Sequence, residues 1–362
     1  MKANIIFPDG WLPYSPTIIN LAKMLQSDNV DVAVYWVDDG RYGVEHTATW
    51  SRPIKINPLL ARVLRMVRLF ESLKMLIFLC VAITIRNKQS TFIGVDARGY
   101  IPARIANKKA IYLSLEAVRD FWFWWATKLG VESLIIQTEE RARFLFPLEL
   151  PDKVALLPNS PILDQATSRT ERRVPTPGAP IRFIYFGNVI ASHGVDACIN
   201  AVLAYDDFST ITIHGPVSAS YLSQLSENYG PNVGARIIFT DAYVDQNAVV
   251  EYLGGFDIGF VTYDFDRISS NDFNYLSCPS GKMYNFFTAG VPAIGLTIPG
   301  LTAIEEFAAG KLTKSLEPRD LVQAINSVCD DYALYRENAL KAASHYDFRH
   351  HYLRNVVPLI TP

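Results

Sequence analysis

The segment Cys278-Pro279-Ser280-Gly281-Lys282-Met283-Tyr284-Asn285 places a lysine where a helix has little electrostatic use for one. Ser280 is a natural N-cap, so Lys282 falls in the first helical turn, against the positive end of the macrodipole. An anion bound at the helix mouth removes that conflict, whereas a solvated lysine on a capped helix leaves it standing. Gly290 and Pro292 then end the helix and open a buried strand. A second anion signal lies upstream. The run Ile181–Phe186 leads into Gly187, Asn188, Ser192, His193 and Gly194 at the start of another helix, where glycine admits close backbone approach and amide groups favour a diphosphate. The same spacing also suits an ordinary strand-to-helix turn.

Carboxylates with the reach of a general base sit in the first half: Asp9 in the Pro8-Asp9-Gly10-Trp11 loop, Asp96 after Thr91–Val95 and Glu116 after Ala110–Ser114. Each follows a strand end, the side of a parallel sheet where ligands bind. Each also reads as a loop carboxylate or a helix cap.

The elements that hold these residues alternate. Strands are expected at Asn4–Phe7, Asp31–Val37, Thr91–Val95, Ala110–Ser114, Ser133–Gln137 and Val154–Leu157, with helices at Ser15–Gln26, Pro58–Ile85 and Glu139–Phe146. Residues 161–180 are rich in proline and polar residues and read as a linker. Alternation restarts with strands at Ile181–Phe186, Thr210–His214, Arg236–Phe239, Asp257–Thr262 and Pro292–Leu296. Helices are expected at Val195–Ala204, Ala219–Asn228, Gln246–Leu253, Lys282–Ala289 and Pro318–His345. The pattern predicts an α/β chain of two doubly wound, Rossmann-like domains, 1–160 and 181–345, with 346–362 free to pack back on the first.

Composition narrows the class. With 362 residues, 49% hydrophobic and 19% charged, the chain supports two cores, and a net charge of -2 gives no reason to expect nucleic acid. The four cysteines have no zinc or redox spacing, and no secretion signal is read at the N-terminus, so a cytoplasmic protein is expected. The apolar run Met75–Ile85, eleven residues, is too short to span a bilayer as a helix. From Arg52 to Lys88, eight basic residues face one acidic residue, Glu71. Arg62, Arg65 and Arg68, interleaved with Leu64, Val67 and Leu69, form a cationic stripe suited to anionic lipid headgroups at the inner membrane face, or else a solvated face of a sheet-covering helix. The run Phe121-Trp122-Phe123-Trp124-Trp125 is too aromatic to be core at every position.

The stretch PSGKMYNFFTAGVPAIG resembles the signature of glycosyltransferases with the GT-B fold, of the family-4-like kind that builds bacterial surface polysaccharides. SLIIQTEERARFLF and KVALLPNSPI resemble the end of such an acceptor domain. IRFIYFGNVIASHGVDACINAV resembles the opening of the donor domain, and IIFTDAYVDQNAVVEYLGGFDIGFVTY its base- and sugar-lining stretch. The resemblance implies two domains facing across a cleft, a nucleoside diphosphate sugar as donor rather than a cofactor, and a saccharide or polyprenyl-linked acceptor. It assigns Lys282 to the diphosphate, with Gly187, Asn188, His193, Gly215, Ser280 and Gly281 around it. Tyr243 is set against the base, Tyr263 and Asp264 near the sugar, and Asn285 near the ribose. Asp9 or Glu116 would serve as base in an inverting reaction. No metal is expected, because Asp264-Phe265-Asp266 follows a donor-domain strand.

Two departures qualify this. Asn285 stands where many members carry glutamate, and Ser277 replaces the partner glutamate eight positions earlier. His193 stands where lysine or arginine is usual, which predicts pH-dependent donor affinity. An inactive glycosyltransferase-like binding protein and a sugar-nucleotide epimerase on the same fold therefore stand as alternatives.

Overall fold

A computed structural model of the chain describes residues 1–40, 48–163, 175, 179–242, 244, 248–269 and 272–360. The linker expected at 161–180 falls largely outside them. The chain forms two compact units, Met1–Asn159 with Phe348–Pro362, and Ser160–Asp347.

The first unit has seven parallel strands: β1 Lys2–Phe7, β2 Asp31–Asp38, β3 Ser51–Lys55, β4 Ser90–Val95, β5 Ile111–Leu113, β6 Ser133–Ile136 and β7 Lys153–Leu156. Their order is β3-β2-β1-β4-β5-β6-β7, so the direction of winding reverses between β1 and β4. β3 was not expected from the sequence, since Pro53 and alternating polar residues mark an edge strand. The expected helix Pro58–Ile85 is two helices, Pro58–Met66 and Phe70–Thr84, broken where Arg68 takes φ 58°. The helix Asp96–Ala106, also unforeseen, carries Pro102 internally. It lies so close to β1 that a Cβ on Gly99 would come within 2.3 Å of the Ile6 carbonyl.

The aromatic run Phe121-Trp122-Phe123-Trp124-Trp125 opens the helix Phe121–Lys128, which Asp120 caps through the Phe123 N–H at 2.8 Å. Phe123 enters the core beside Tyr112 and Phe146, while Phe121, Trp124 and Trp125 face solvent.

The second unit has six parallel strands: β8 Arg182–Phe186, β9 Thr210–His214, β10 Ile237–Thr240, β11 Ile258–Val261, β12 Ala293–Leu296 and β13 Gly310–Thr313. Their order is β10-β9-β8-β11-β12-β13, reversing between β8 and β11. Helices cover both faces. Phe183, Ile211 and Phe260 pack with Val195–Tyr205 and Pro318–Asp330, and Ile184, Val261 and Phe286 pack with Gly281–Ala289 and Tyr332–His345. Burial on both faces explains why these strands read as continuous apolar runs. The expected helix Pro318–His345 is interrupted at Asp331.

The C-terminal segment is bound to the first unit by directed contacts. Tyr352, 1% exposed, donates its hydroxyl to Asp28 at 2.7 Å, and Asn355 donates to the Leu156 carbonyl at 2.8 Å. Tyr352→Ala empties a filled site and removes its bond to the exposed Asp28; we expect a loss of about 3–5 kcal/mol in urea unfolding, nearly all of it from packing. Tyr352→Phe, which keeps the ring, should lose only about 1 kcal/mol. Equal losses would place the energy in the hydrogen bond rather than in packing.

Candidate functional site

In an open parallel sheet the binding crevice lies outside the carboxyl ends of the strands, at the point where strand order reverses. In the second unit that point is flanked by β8, leading to Gly187–Asn188, and β11, leading to Thr262, Tyr263 and Asp264. Gly187 adopts φ 123° and Gly215, after β9, φ 141°. The two loops touch backbone to backbone: a Cβ on Gly215 would lie 2.0 Å from the Gly187 carbonyl oxygen. Both positions therefore demand glycine for conformation, and Gly215 for space as well.

Lys282 sits in the first turn of the helix Gly281–Ala289, with Ser280 at the N-cap position. The Ser280 side chain makes no capping bond, contrary to expectation, so the helix mouth keeps amide donors unclaimed by that hydroxyl. The half-buried Lys282 reaches across to β8. Its Nζ donates to the Tyr185 hydroxyl at 3.0 Å, over the Tyr185 ring at 4.4 Å and the Tyr263 ring at 5.5 Å. Its stem runs past Gly187, whose added Cβ would lie 3.5 Å from Cδ. Among the described residues no carboxylate pairs with the ammonium. Burial lowers its pKa to about 8, with the nearby Cys198 and Cys278 pulling the other way. The site thus presents a desolvated cation partnered by a phenol and two π faces, an arrangement that an entering anion stabilises.

Tyr185 fixes the lysine's position. It donates its hydroxyl to the Asn188 carbonyl at 2.8 Å and lies 3.0 Å from His193 Nδ1. His193 Nδ1 is also 3.1 Å from that carbonyl, so a proton on Nδ1 is donated there and Nε2 is left as acceptor. Burial first, and the Lys282 charge second, push His193 down to about 4. The histidine is neutral throughout the physiological range, so the pH sensitivity expected of it belongs to Lys282. Thr262 holds the loop in register by donating to the His193 carbonyl at 2.8 Å, and the Asp264 N–H donates to the Ser192 carbonyl at 2.8 Å.

The remaining expected donor residues divide. Tyr263 is buried and meets His193 and Tyr275 edge-on at 5.4 and 5.7 Å. Asp264 pairs with Arg267 at 3.2 Å. Asn285, one turn beyond Lys282, is half-buried, and its side chain forms no hydrogen bond with a described residue. Ser277 is fully buried and spends its hydroxyl on the Phe273 carbonyl at 2.6 Å. Tyr243 lies outside the described residues. Gly215, Thr240 and Asp241 line a cavity of about 130 Å³ at the ends of β9 and β10. Tyr185 and Tyr275 were missed by sequence reasoning. Tyr185 carries a usable signal, because a tyrosine in a buried strand needs a partner for its hydroxyl.

In the first unit, Asp9, Asp96, Glu116, Arg98 and Asp120 line a cavity of about 160 Å³ at the β1/β4 reversal. Asp9, the favoured base from sequence, accepts from the buried Lys74 at 3.1 Å, and Lys74 also pairs with Glu71 at 3.0 Å. Asp9 is therefore engaged by a cation rather than free in the cavity. Glu116 is exposed. Asp96 is the distinctive group. It has φ 49° and accepts the Leu115 and Glu116 N–H groups at 2.8 and 3.1 Å. Burial, then the Glu116 charge, raise its pKa to about 8 against the pull of those two bonds. Among the described residues no group of three or more His, Cys, Asp or Glu could hold a metal ion. No helix among them is long and apolar enough to cross a membrane.

No protein-family model matches the chain, and no curated protein matches it in sequence. Solved structures do match in shape. HepE of Anabaena, solved with UDP-glucose, has 11% identity and a TM-score of 0.70 over 99% of both chains. WaaB, a lipopolysaccharide outer core galactosyltransferase, has 12% identity and a TM-score of 0.64 over 99% of both. A protein described as a putative UDP-N-acetylglucosamine 2-epimerase from Listeria monocytogenes has 10% identity and a TM-score of 0.61, over 98% of this chain and 94% of that one. The fold is GT-B, with two parallel-sheet α/β units.

Asp96 has a stability signature. An unfolded aspartate titrates near about 3.9. Between that value and about 8 the folded chain therefore binds a proton the unfolded chain has lost, and this group makes stability fall as pH rises across the window. Asp96→Asn keeps an acceptor for both N–H groups and has no proton to lose. We expect its Tm to decline less than the wild type's between pH 5 and 8.5. Parallel curves would remove the buried acid.

Proposed function

We propose that the chain is a glycosyltransferase that moves a sugar from a nucleoside diphosphate donor to a saccharide or lipid-linked acceptor in bacterial polysaccharide or glycan assembly. The observation that carries this is the desolvated Lys282 ammonium, held by Tyr185 beside the Gly187 turn at a strand-order reversal. In this reading the donor diphosphate meets Lys282, the Gly187–Asn188 backbone and the amides at the start of Gly281–Ala289. These groups stabilise the negative charge that develops on the leaving diphosphate. The work falls to a fixed lysine rather than to a metal, and Asp264, the acid nearest the metal-type spacing, is engaged by Arg267.

The base fits the cavity lined by Gly215, Thr240 and Asp241. The UDP-glucose bound by HepE favours a uridine nucleotide. Asn285 and Tyr263 would face ribose and sugar, with Asn285 supplying amide hydrogen bonds without charge. In the first unit the acceptor hydroxyl would meet the Asp96–Glu116 cavity. Once ionised, Asp96 would serve as the base, because burial raises its affinity for a proton.

A thermal-shift panel of nucleotides tests the donor assignment. UDP or another nucleoside diphosphate should raise Tm, and Lys282→Ala should weaken its binding by about 10–100-fold, the value of one or two charge-assisted bonds. Unchanged affinity would displace the diphosphate from this site. Because Lys282 titrates near 8, wild-type affinity should fall as pH rises through that value, while Lys282→Arg stays charged and shows a flatter profile. Incubation with nucleotide sugars separates transfer, seen as slow donor hydrolysis without acceptor, from epimerisation and from binding without turnover.

We also infer a peripheral contact with anionic membrane. On Pro58–Met66 and the turn after it, Leu59, Leu60, Val63, Met66 and Val67 are exposed beside exposed Arg62 and Arg68. Arg65, the third arginine of the expected stripe, instead pairs with the buried Asp39 and lies over the Phe70 ring at 4.3 Å. An apolar ridge flanked by arginines suits the headgroup layer. Arg62→Glu with Arg68→Glu should abolish cosedimentation with phosphatidylglycerol vesicles, whereas Arg65→Ala should chiefly lower Tm.

A further inference from the structure

A second cavity of the first unit lies at the opposite end of the sheet from Asp9, Asp96 and Glu116. Met1, Ser90, Ile111 and Lys153, at or next to the starts of β1, β4, β5 and β7, contribute to its wall, and its volume is about 1160 Å³. Its charged lining is Arg86, Lys88, Lys108, Lys109 and Lys153, with no acidic residue. All five are exposed, and among the described residues none forms an ion pair. Lys108 and Lys109 follow the C-terminal end of the helix Asp96–Ala106, where cations are favoured by the macrodipole. That explanation does not extend to Arg86, Lys88 or Lys153, which come from other elements. Five like charges around one opening repel each other and create a local field that attracts an anion.

Two further observations define the ligand. Ser90 lines the cavity and is 3% exposed, yet its hydroxyl has no hydrogen-bond partner among the described residues. An unsatisfied buried hydroxyl is costly, and a rotation that brings it to the cavity wall would let an acceptor oxygen of a ligand satisfy it. The wall between the cations is apolar, built from Met1, Ile111, Leu359 and Ile360. A small inorganic ion would leave that surface wet, whereas a ligand with an apolar body would cover it.

We propose that this cavity binds a phosphate-bearing amphiphile, its phosphate among Lys108, Lys109 and Lys153 and its apolar body against Ile111, Leu359 and Ile360. Ligands at the carboxyl ends of parallel strands are the substrates of such folds. A ligand at the amino ends is therefore neither donor nor acceptor, and acts as an effector or a tether. A soluble organic phosphate and a lipid phosphate share the required chemistry.

Calorimetric titration of the full chain with inorganic phosphate, phenyl phosphate and monomeric dihexanoyl phosphatidic acid tests this. Monomeric lipid is used so that the arginine-flanked ridge around Met66 has no bilayer to engage. Phenyl phosphate or the short-chain lipid should bind about tenfold or more tightly than inorganic phosphate. Preference for the lipid identifies a membrane phosphate, and preference for phenyl phosphate a soluble one. The exposed-site variant Lys108→Ala/Lys109→Ala/Lys153→Ala should keep its far-UV circular dichroism, its Tm and its UDP binding, and lose about tenfold or more in affinity for the preferred probe. Absence of binding, equal affinity for inorganic phosphate, or unchanged affinity in the triple variant would each overturn the proposal.

Discussion

A lysine ammonium withdrawn from water and given no carboxylate organises the second unit. Lys282 is held by the Tyr185 hydroxyl and lies over two aromatic rings, and this requires several other features. Gly187 must be glycine for its loop to turn at φ 123°, and Gly215 must be glycine for the next loop to reach Gly187. His193 must be neutral, since a second cation against Lys282 would repel it, and burial keeps its pKa near 4. Tyr185 must end its strand facing the loop, because its hydroxyl gathers Lys282, Asn188 and His193 together. A partnering carboxylate would satisfy the charge and close the site to an anion. Its absence among the described residues keeps the site receptive.

The first unit meets the same topological constraint with the opposite charge. At its strand-order reversal, carboxylates gather: Asp96 half-buried with its pKa raised to about 8, Asp9 paired with Lys74, Glu116 exposed. A buried acid that costs stability as it ionises is the kind of compromise that functional sites retain. The helix Asp96–Ala106 seats tightly on β1 through Gly99, and Asp96 at its start holds a left-handed conformation. The second unit thus offers a cationic edge and the first an acidic one, each derived from its own sheet.

Much of the fold was legible because burial on both faces imposes a recognisable pattern. Asp31–Asp38, Thr210–His214 and Ala293–Leu296 are continuous apolar or β-branched runs, as parallel strands between helix layers must be. Elements outside that pattern were not legible. β3 is a mostly exposed edge strand with a proline, and β13, Gly310–Thr313, is short and half-polar. The breaks at Arg68 and Asp331 are backbone events within apolar periodicity that runs on unbroken, so composition carried no mark of them.

At the candidate site, the sequence alone determined that a lysine lies in a helix's first turn beside glycine-rich strand ends, because capping, periodicity and turn chemistry are local properties. It also determined that acids follow the first-unit strands. Only tertiary structure decided the ionisation and pairing of these groups. Lys74, 65 residues from Asp9, neutralises the acid that sequence favoured, and Tyr185, 97 residues from Lys282, supplies the lysine's partner. His193 loses its expected role as pH sensor through burial, and Ser280 holds the N-cap position without its hydroxyl making the bond. Charge state depends on desolvation and on through-space neighbours, and neither is encoded in the residues immediately before and after Lys282.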